Sequence, residues 1–198
     1  MAENKTVNYL PHIQNIEAGY NKYDPVHNSI FQVSFNQLPP AVEEVFGADA
    51  LNLLPQQVTT VSGLDVLQKT TDTGEQKFWG VTVSYLNPTL DTTAADITIE
   101  FNLNLRNVTD NYVLKIFKAW ENLSYDLATG ARGLKQQYCA GGMRISEANR
   151  DGTIWRSYEF KDVMLKGVTG LEGLDYTSND ARKLTCVFRS DWWTDEIA

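Results

Sequence analysis

Asp96-Ile-Thr-Ile-Glu-Phe-Asn-Leu-Asn-Leu-Arg106 alternates without a break, with Ile97, Ile99, Phe101, Leu103 and Leu105 on one side of an extended backbone and Thr98, Glu100, Asn102, Asn104 and Arg106 on the other. A strand of this kind buries one face and wets the other. It runs straight into a second pattern of a different period. Val113, Ile116, Phe117, Trp120, Leu123 and Leu127 recur every three or four residues, which predicts a helix from about Asp110 to Leu127 with one apolar stripe. Asn107 or Thr109 is positioned to cap its first turn, Asp110 adds negative charge at the positive end of the helix dipole, and Gly130 and Gly133 mark its end. No other segment is as strongly helical, so the chain reads as mainly β.

Working outward, Phe31, Val33 and Phe35 alternate with polar residues and stop before Pro39-Pro40. Between Leu38 and Pro55 lies an apolar excursion: a two-turn helix with proline at its start and Gly47 after its end, then Ala50-Leu-Asn-Leu-Leu54. Apolar loops of this length need a surface to cover, their own or a partner's. The expectation is a neighbouring subunit, with Val42, Val45, Phe46, Leu51, Leu53 and Leu54 as the contact residues and deletion leaving a folded chain that cannot assemble. Gln57 to Val61 reads as a second strand, Gln68 to Gln76 as an exposed polar loop, and Phe78 to Tyr85 as a third strand with Trp79, Val81, Val83 and Tyr85 on one face. Past the helix come a strand from Tyr138, a turn at Asp151-Gly152, a strand from Ile154 to Val168 with a bulge or face switch near Asp162, and a last strand ending Asp191-Trp-Trp193. Residues 1 to 28 have neither period and read as an arm preceding a single domain over 29 to 198.

Composition narrows the function. Among 198 residues the formal net charge is −8 and the pI about 4.7, which argues against a broad phosphate-gripping surface. An acidic wall suits a polyanion that must slide past without sticking. Cys139 and Cys186 read as free thiols of a chain made in the cytosol. No apolar run reaches transmembrane length, so no membrane partner is expected. Enzyme templates fail: the two histidines, His12 and His27, sit in the arm, and no phosphate-cradling glycine loop follows a strand. Cys139-Ala-Gly-Gly-Met143 is explained by a strand bending at paired glycines, and Glu43-Glu44 and Asp195-Glu196 by solvated charge. No catalytic residue, cofactor or metal site is assigned. Trp79 and Trp120 fit core positions, whereas Trp192 and Trp193 must face opposite sides of a continuing strand.

From Gly152 to Trp193 the alternating strand ending Leu165-Lys-Gly167, the Asp175-x-x-Ser178-Asn179-Asp180 turn and the closing Asp191-Trp-Trp193 resemble the tail tube protein of contractile-tailed bacteriophages, with weaker matches at Asn28 to Phe35 and Phe78 to Tyr85. The resemblance implies two packed antiparallel sheets forming a β-barrel or sandwich with one flanking helix. It further implies hexameric rings stacking into a virion tube that conducts the genome, with sheath, baseplate and tail terminator as partners and DNA passing unbound. The arm and the Leu38 to Pro55 excursion are longer than the family pattern, which leaves a baseplate tube initiator or a type VI secretion tube as alternatives. From another class, the aromatic count leaves a monomeric sugar- or ligand-binding sandwich. In a ring, Glu100, Glu159 and Asp162 are the candidates to give the lumen a negative charge.

Overall fold

The computed structural model describes residues 30–67, 69–92, 96–103, 111–149, 151–170 and 182–197. The predicted arm, His12, His27, the capping candidates Asn107 and Thr109 and the Asp175 to Asp180 turn lie outside them. The alternating stretch forms strand β5 (Asp96–Asn102), with Ile97, Ile99 and Phe101 fully buried. It pairs antiparallel with β8 (Lys183–Ile197), so Ile97 faces Phe188, Ile99 faces Cys186 and Phe101 faces Leu184. Together with β1 (Phe31–Gln37), β2 (Val58–Ser62), β6 (Cys139–Ala148) and β7 (Ile154–Thr169) these form one antiparallel sheet in the order β1-β6-β7-β8-β5-β2.

One sheet does the work of two because its long central strands change faces. In β7 Tyr158 and Phe160 are buried, then Val163 and Leu165, so the buried parity flips across Lys161 and Asp162. Buried parity flips in β6 between Ala140 and Met143, at the paired glycines, and in β8 between Ser190 and Trp193. The register aligns these positions, Gly142 opposite Lys161 and Lys161 opposite Trp192, so the three flips form one crease across the sheet. Strands that bend from one layer into the next in this way build the corners of orthogonally packed β structures. Asp162 carries the strain, at φ +50°, and the buried Ser190 hydroxyl supports the crease by donating to the carbonyl of Lys161 at 2.5 Å while accepting from the N–H of Trp192 at 3.3 Å. The face switch expected near Asp162 is therefore present, and Trp193 is buried while Trp192 is exposed beneath the Lys161 ammonium.

The curled sheet closes over helix α3 (Tyr112–Ser124), whose Val113, Ile116, Phe117 and Trp120 are buried. Its cap is Asn111, whose side-chain oxygen accepts from the N–H of Leu114 at 3.1 Å. The helix stops three residues short of Leu127. Tyr125 is already extended, Asp126 accepts from the backbone of Ala128 and the hydroxyl of Thr129, and a bridge from Tyr125 to Arg132 closes the turn, leaving Leu127 exposed. Helical spacing continued in the sequence past the point where a side-chain carboxylate outcompetes the helix for the backbone. A short helix α4 (Lys135–Tyr138) follows, and the carbonyl of Tyr138 accepts the Trp120 indole N–H at 2.7 Å.

The excursion forms two helices, α1 (Pro40–Phe46) and α2 (Ala48–Gln57), with Pro40 in the first turn and Gly47 between them at φ +68°. Leu38, Val42, Ala50 and Leu54 are buried in the core of their own chain. The Tyr112 hydroxyl donates to the Phe46 carbonyl at 2.7 Å, and the two rings meet edge to face, which fastens α1 to α3. Cys139 and Cys186 are free thiols.

Candidate assembly surface

The third strand expected from Phe78 to Tyr85 does not exist as one strand, and the polar loop before it is not a loop. Strand β3 (Lys69–Phe78) and strand β4 (Val81–Thr92) form a separate two-stranded hairpin whose tip is Trp79-Gly80. Both tip residues have positive φ, +50° and +82°, the geometry of a tight type I′ hairpin turn. Such turns take Asn-Gly or Asp-Gly; a tryptophan there costs roughly 1 kcal/mol or more in backbone strain. Alternation in the sequence passed through the turn undisturbed, because Phe78 and Val81 become cross-strand partners on the same face. The core role expected for Trp79 is overturned: its side chain is fully exposed, at 102%.

Register gives the hairpin two unlike faces. Phe78, Val81, Val83 and Tyr85 share one, with the Tyr85 ring lying over Gly74; Lys77, Thr82, Glu75 and Ser84 share the other. Every residue from Glu75 to Leu86 is exposed, including the four on the apolar face. A lone two-stranded hairpin is marginal in water unless a further layer covers it, and this one leaves its apolar face bare.

Elsewhere among the described residues, exposed apolar side chains occur on α1 and on the segment that follows α3. Val45 (72% exposed), Tyr125, Leu127 and Leu134 all belong to these segments. A cleft of about 530 Å³ lies between α1 and the segment after α3, where Glu44, Asn122, Asp126, Arg132, Gln136 and Gln137 outnumber the apolar lining residues. Gly133 is required there, since a Cβ would sit 2.0 Å from the Leu123 carbonyl. Asp126 on the rim is held below the usual carboxylate range chiefly by the Thr129 hydroxyl and then by the Ala128 N–H. The Arg132 guanidinium lies over the Tyr125 ring at 5.8 Å.

Of the six residues expected at a subunit contact, Val42 and Leu54 are consumed by the subunit's own core, and Phe46, Leu51 and Leu53 are partly buried against it. Val45 alone of the six is well exposed. The excursion has found its own surface to cover. Edge strands β1 and β2 end the sheet order and are not paired to each other.

The wet face of the sheet carries the lumen candidates. Glu100 pairs with Lys183 at 3.2 Å and Glu159 with Arg144 at 3.9 Å, while Asp96 meets Lys166 and Arg189. Four cations thus face three carboxylates, and Glu100 and Glu159 each lie beside a cation of their own chain. Asp162 is exposed at the crease. What the sequence reading missed altogether was the hairpin tip; a glycine following an exposed-type aromatic inside an alternating run was the available signal.

The fold is similar to that of chains from contractile injection particles. A chain described as the anti-feeding prophage tube terminating cap aligns with a TM-score of 0.53 and 20% identity, over 89% of this chain and 93% of that one. A chain of the PVC extracellular contractile injection system sheath-tube complex, in its extended state, aligns with a TM-score of 0.53 and 18% identity, over 90% and 95%. No protein-family model matches the chain, and neither does any curated protein. The likeness is one of fold: a tail-tube-type curled sheet with its flanking helix, as the sequence resemblance implied.

Proposed function

We propose that the chain is a structural component of a contractile tail or injection particle, assembling with copies of itself into rings that build or terminate its inner tube. The observation that carries this is the β3–β4 hairpin: an amphipathic element, on a tail-tube-type fold, with an apolar face that is exposed among the described residues. Burying an exposed Phe, Val or Tyr side chain is worth about 1.5 to 3 kcal/mol, so the face supplies association energy that a monomer has no use for. Among the described residues β1 and β2 are the sheet's edge strands, and their outer rims are ones that ring closure would pair. Sheath, baseplate and terminator proteins are the further partners such a role requires, and a location in the tail or injection particle follows from it.

In such a ring Glu100 and Glu159 would line the channel beside their cations, with Asp162 at the crease. The wall would be polar and near neutral, suited to DNA or another cargo passing without specific binding. Electron microscopy and sedimentation of the purified chain test the reading. Rings or tubes are the expected result; a particle that stays at the 22.3 kDa of a single chain at every concentration would favour the monomeric ligand-binding sandwich instead.

A further inference from the structure

Buried donors without acceptors concentrate at one end of the sheet. Among the described residues four side-chain polar atoms are buried with no hydrogen-bond partner, and three of them are donors: Arg144 Nε, Trp155 Nε1 and Arg156 Nε. Their three residues line a single cavity of about 450 Å³. Leaving a buried donor unpaired is costly, and a cluster of them calls for acceptors from elsewhere. Those acceptors need bring no charge. The Arg144 guanidinium donates to the Ser157 hydroxyl at 3.2 Å and lies 3.9 Å from Glu159, Arg156 meets Asp195 at 3.4 Å, and Glu196 also lines the cavity, so the two cations are matched by nearby carboxylates. Ile154 and Ile197, both exposed, make part of the lining aliphatic. Neutral acceptors beside aliphatic contacts describe the carbonyls and side chains of an uncharged, extended peptide.

The chain carries such a segment within reach. Its described part begins at Ile30, whose carbonyl accepts from the N–H of Ala148 at 3.0 Å, and Ala148 is the cross-strand partner of Ile154 in the cavity lining. Ile30 therefore stands two strand spacings, about 10 Å, from Ile154. Among the residues before it, Thr6-Val-Asn-Tyr-Leu-Pro-His-Ile-Gln-Asn-Ile16 contains no Asp, Glu, Lys or Arg, and Glu17 to Ser29 can span up to about 40 Å when extended. We propose that the cavity lined by Arg144, Trp155 and Arg156 is a peptide-binding site whose occupant is the Thr6 to Ile16 segment of the same chain. A tether this short gives the segment a high effective concentration at the cavity, ahead of any segment arriving from solution. The docking does not depend on assembly into rings.

The test is photo-crosslinking of the full-length chain carrying Ile154→p-benzoylphenylalanine or, separately, Ile197→p-benzoylphenylalanine, each in an equal mixture of isotope-labelled and unlabelled protein. After trypsin, the expected product joins the probe to the peptide Thr6–Lys22 of a chain with the same labelling. Adding Leu10→Glu and Ile13→Glu to either probe variant puts charge into the segment and is expected to lower the yield of that product by about tenfold or more. Crosslinks to another segment, no crosslink from either position, products that mix labelled with unlabelled chain, or a yield unchanged by the two glutamates would each overturn the docking while leaving the self-assembly reading to its own test.

Discussion

Replacing Trp120 by alanine removes the side chain around which the two halves of the creased sheet meet α3. The ring is 1% exposed and packs against Phe35 at 6.3 Å, Phe117 at 6.3 Å and Phe188 at 5.7 Å between centroids, so it touches β1, its own helix and β8 together. Truncating a buried aromatic costs about 3 to 5 kcal/mol in lost transfer energy and residual cavity. The Tyr138 carbonyl also loses its 2.7 Å donor, which adds roughly 1 kcal/mol if water enters the space. A loss of about 4 to 6 kcal/mol is a large part of the 5 to 15 kcal/mol typical of a domain, and for this length lowers the melting temperature by roughly 10 to 20 °C. Urea unfolding followed by circular dichroism measures it, in a Trp79→Ala background so that assembly does not enter the curve. Trp120→Phe, keeping a ring but not the N–H, should lose about 1 to 3 kcal/mol. An alanine variant that loses less than about 1 kcal/mol would refute the claim that α3 seals the core.

Deleting residues 38 to 55 should unfold the chain instead of yielding a folded subunit that cannot assemble, because Leu38, Val42, Ala50 and Leu54 leave the core with it; circular dichroism distinguishes the two outcomes. Asp162→Gly, which removes the strain of a positive φ, should be neutral or stabilising by up to about 1 kcal/mol, whereas Asp162→Val should destabilise by roughly 1 to 2 kcal/mol, both read by urea unfolding. Burial pushes the Cys186 thiol far up, so the folded chain keeps its proton where the unfolded chain loses it. Stability from this group is present below the ordinary thiol range and is lost as pH rises above about 9; Cys186→Ala should flatten that slope in urea titrations at pH 8 and 10. With a thiol reagent at neutral pH, Cys139 should react slowly in the native chain and Cys186 only on unfolding.

Period-2 and period-3.6 patterns carried the fold wherever one face was buried and the other wet. Ile97 to Phe101, the α3 stripe from Val113 to Trp120, and the opposed Trp192 and Trp193 all stand where alternation put them. Patterns failed where the environment on both faces is the same. From Glu75 to Leu86 every hairpin residue is exposed, so the apolar parity there meant a surface and not an interior, and a two-residue turn does not interrupt alternation. At Leu127 helical spacing persisted but Asp126 ended the helix through local hydrogen bonds. Electrostatics was the least legible: Glu100 and Glu159 were plain in sequence, but the cations beside them, Lys183 and Arg144, come from other strands. In the excursion the apolar content was legible, but that Leu38, Val42, Ala50 and Leu54 enter the core of their own chain required the fold.

Sedimentation velocity of the full-length chain beside its Trp79→Ala variant, at one concentration and with matched circular dichroism, tests the central claim most directly. Trp79 is fully exposed at a strained turn, so its loss removes no buried contact among the described residues. The account predicts that the parent sediments as rings or longer assemblies and the variant as single chains of 22.3 kDa with an unchanged fold. Identical sedimentation of the two as large assemblies, or of both as single chains, would contradict it.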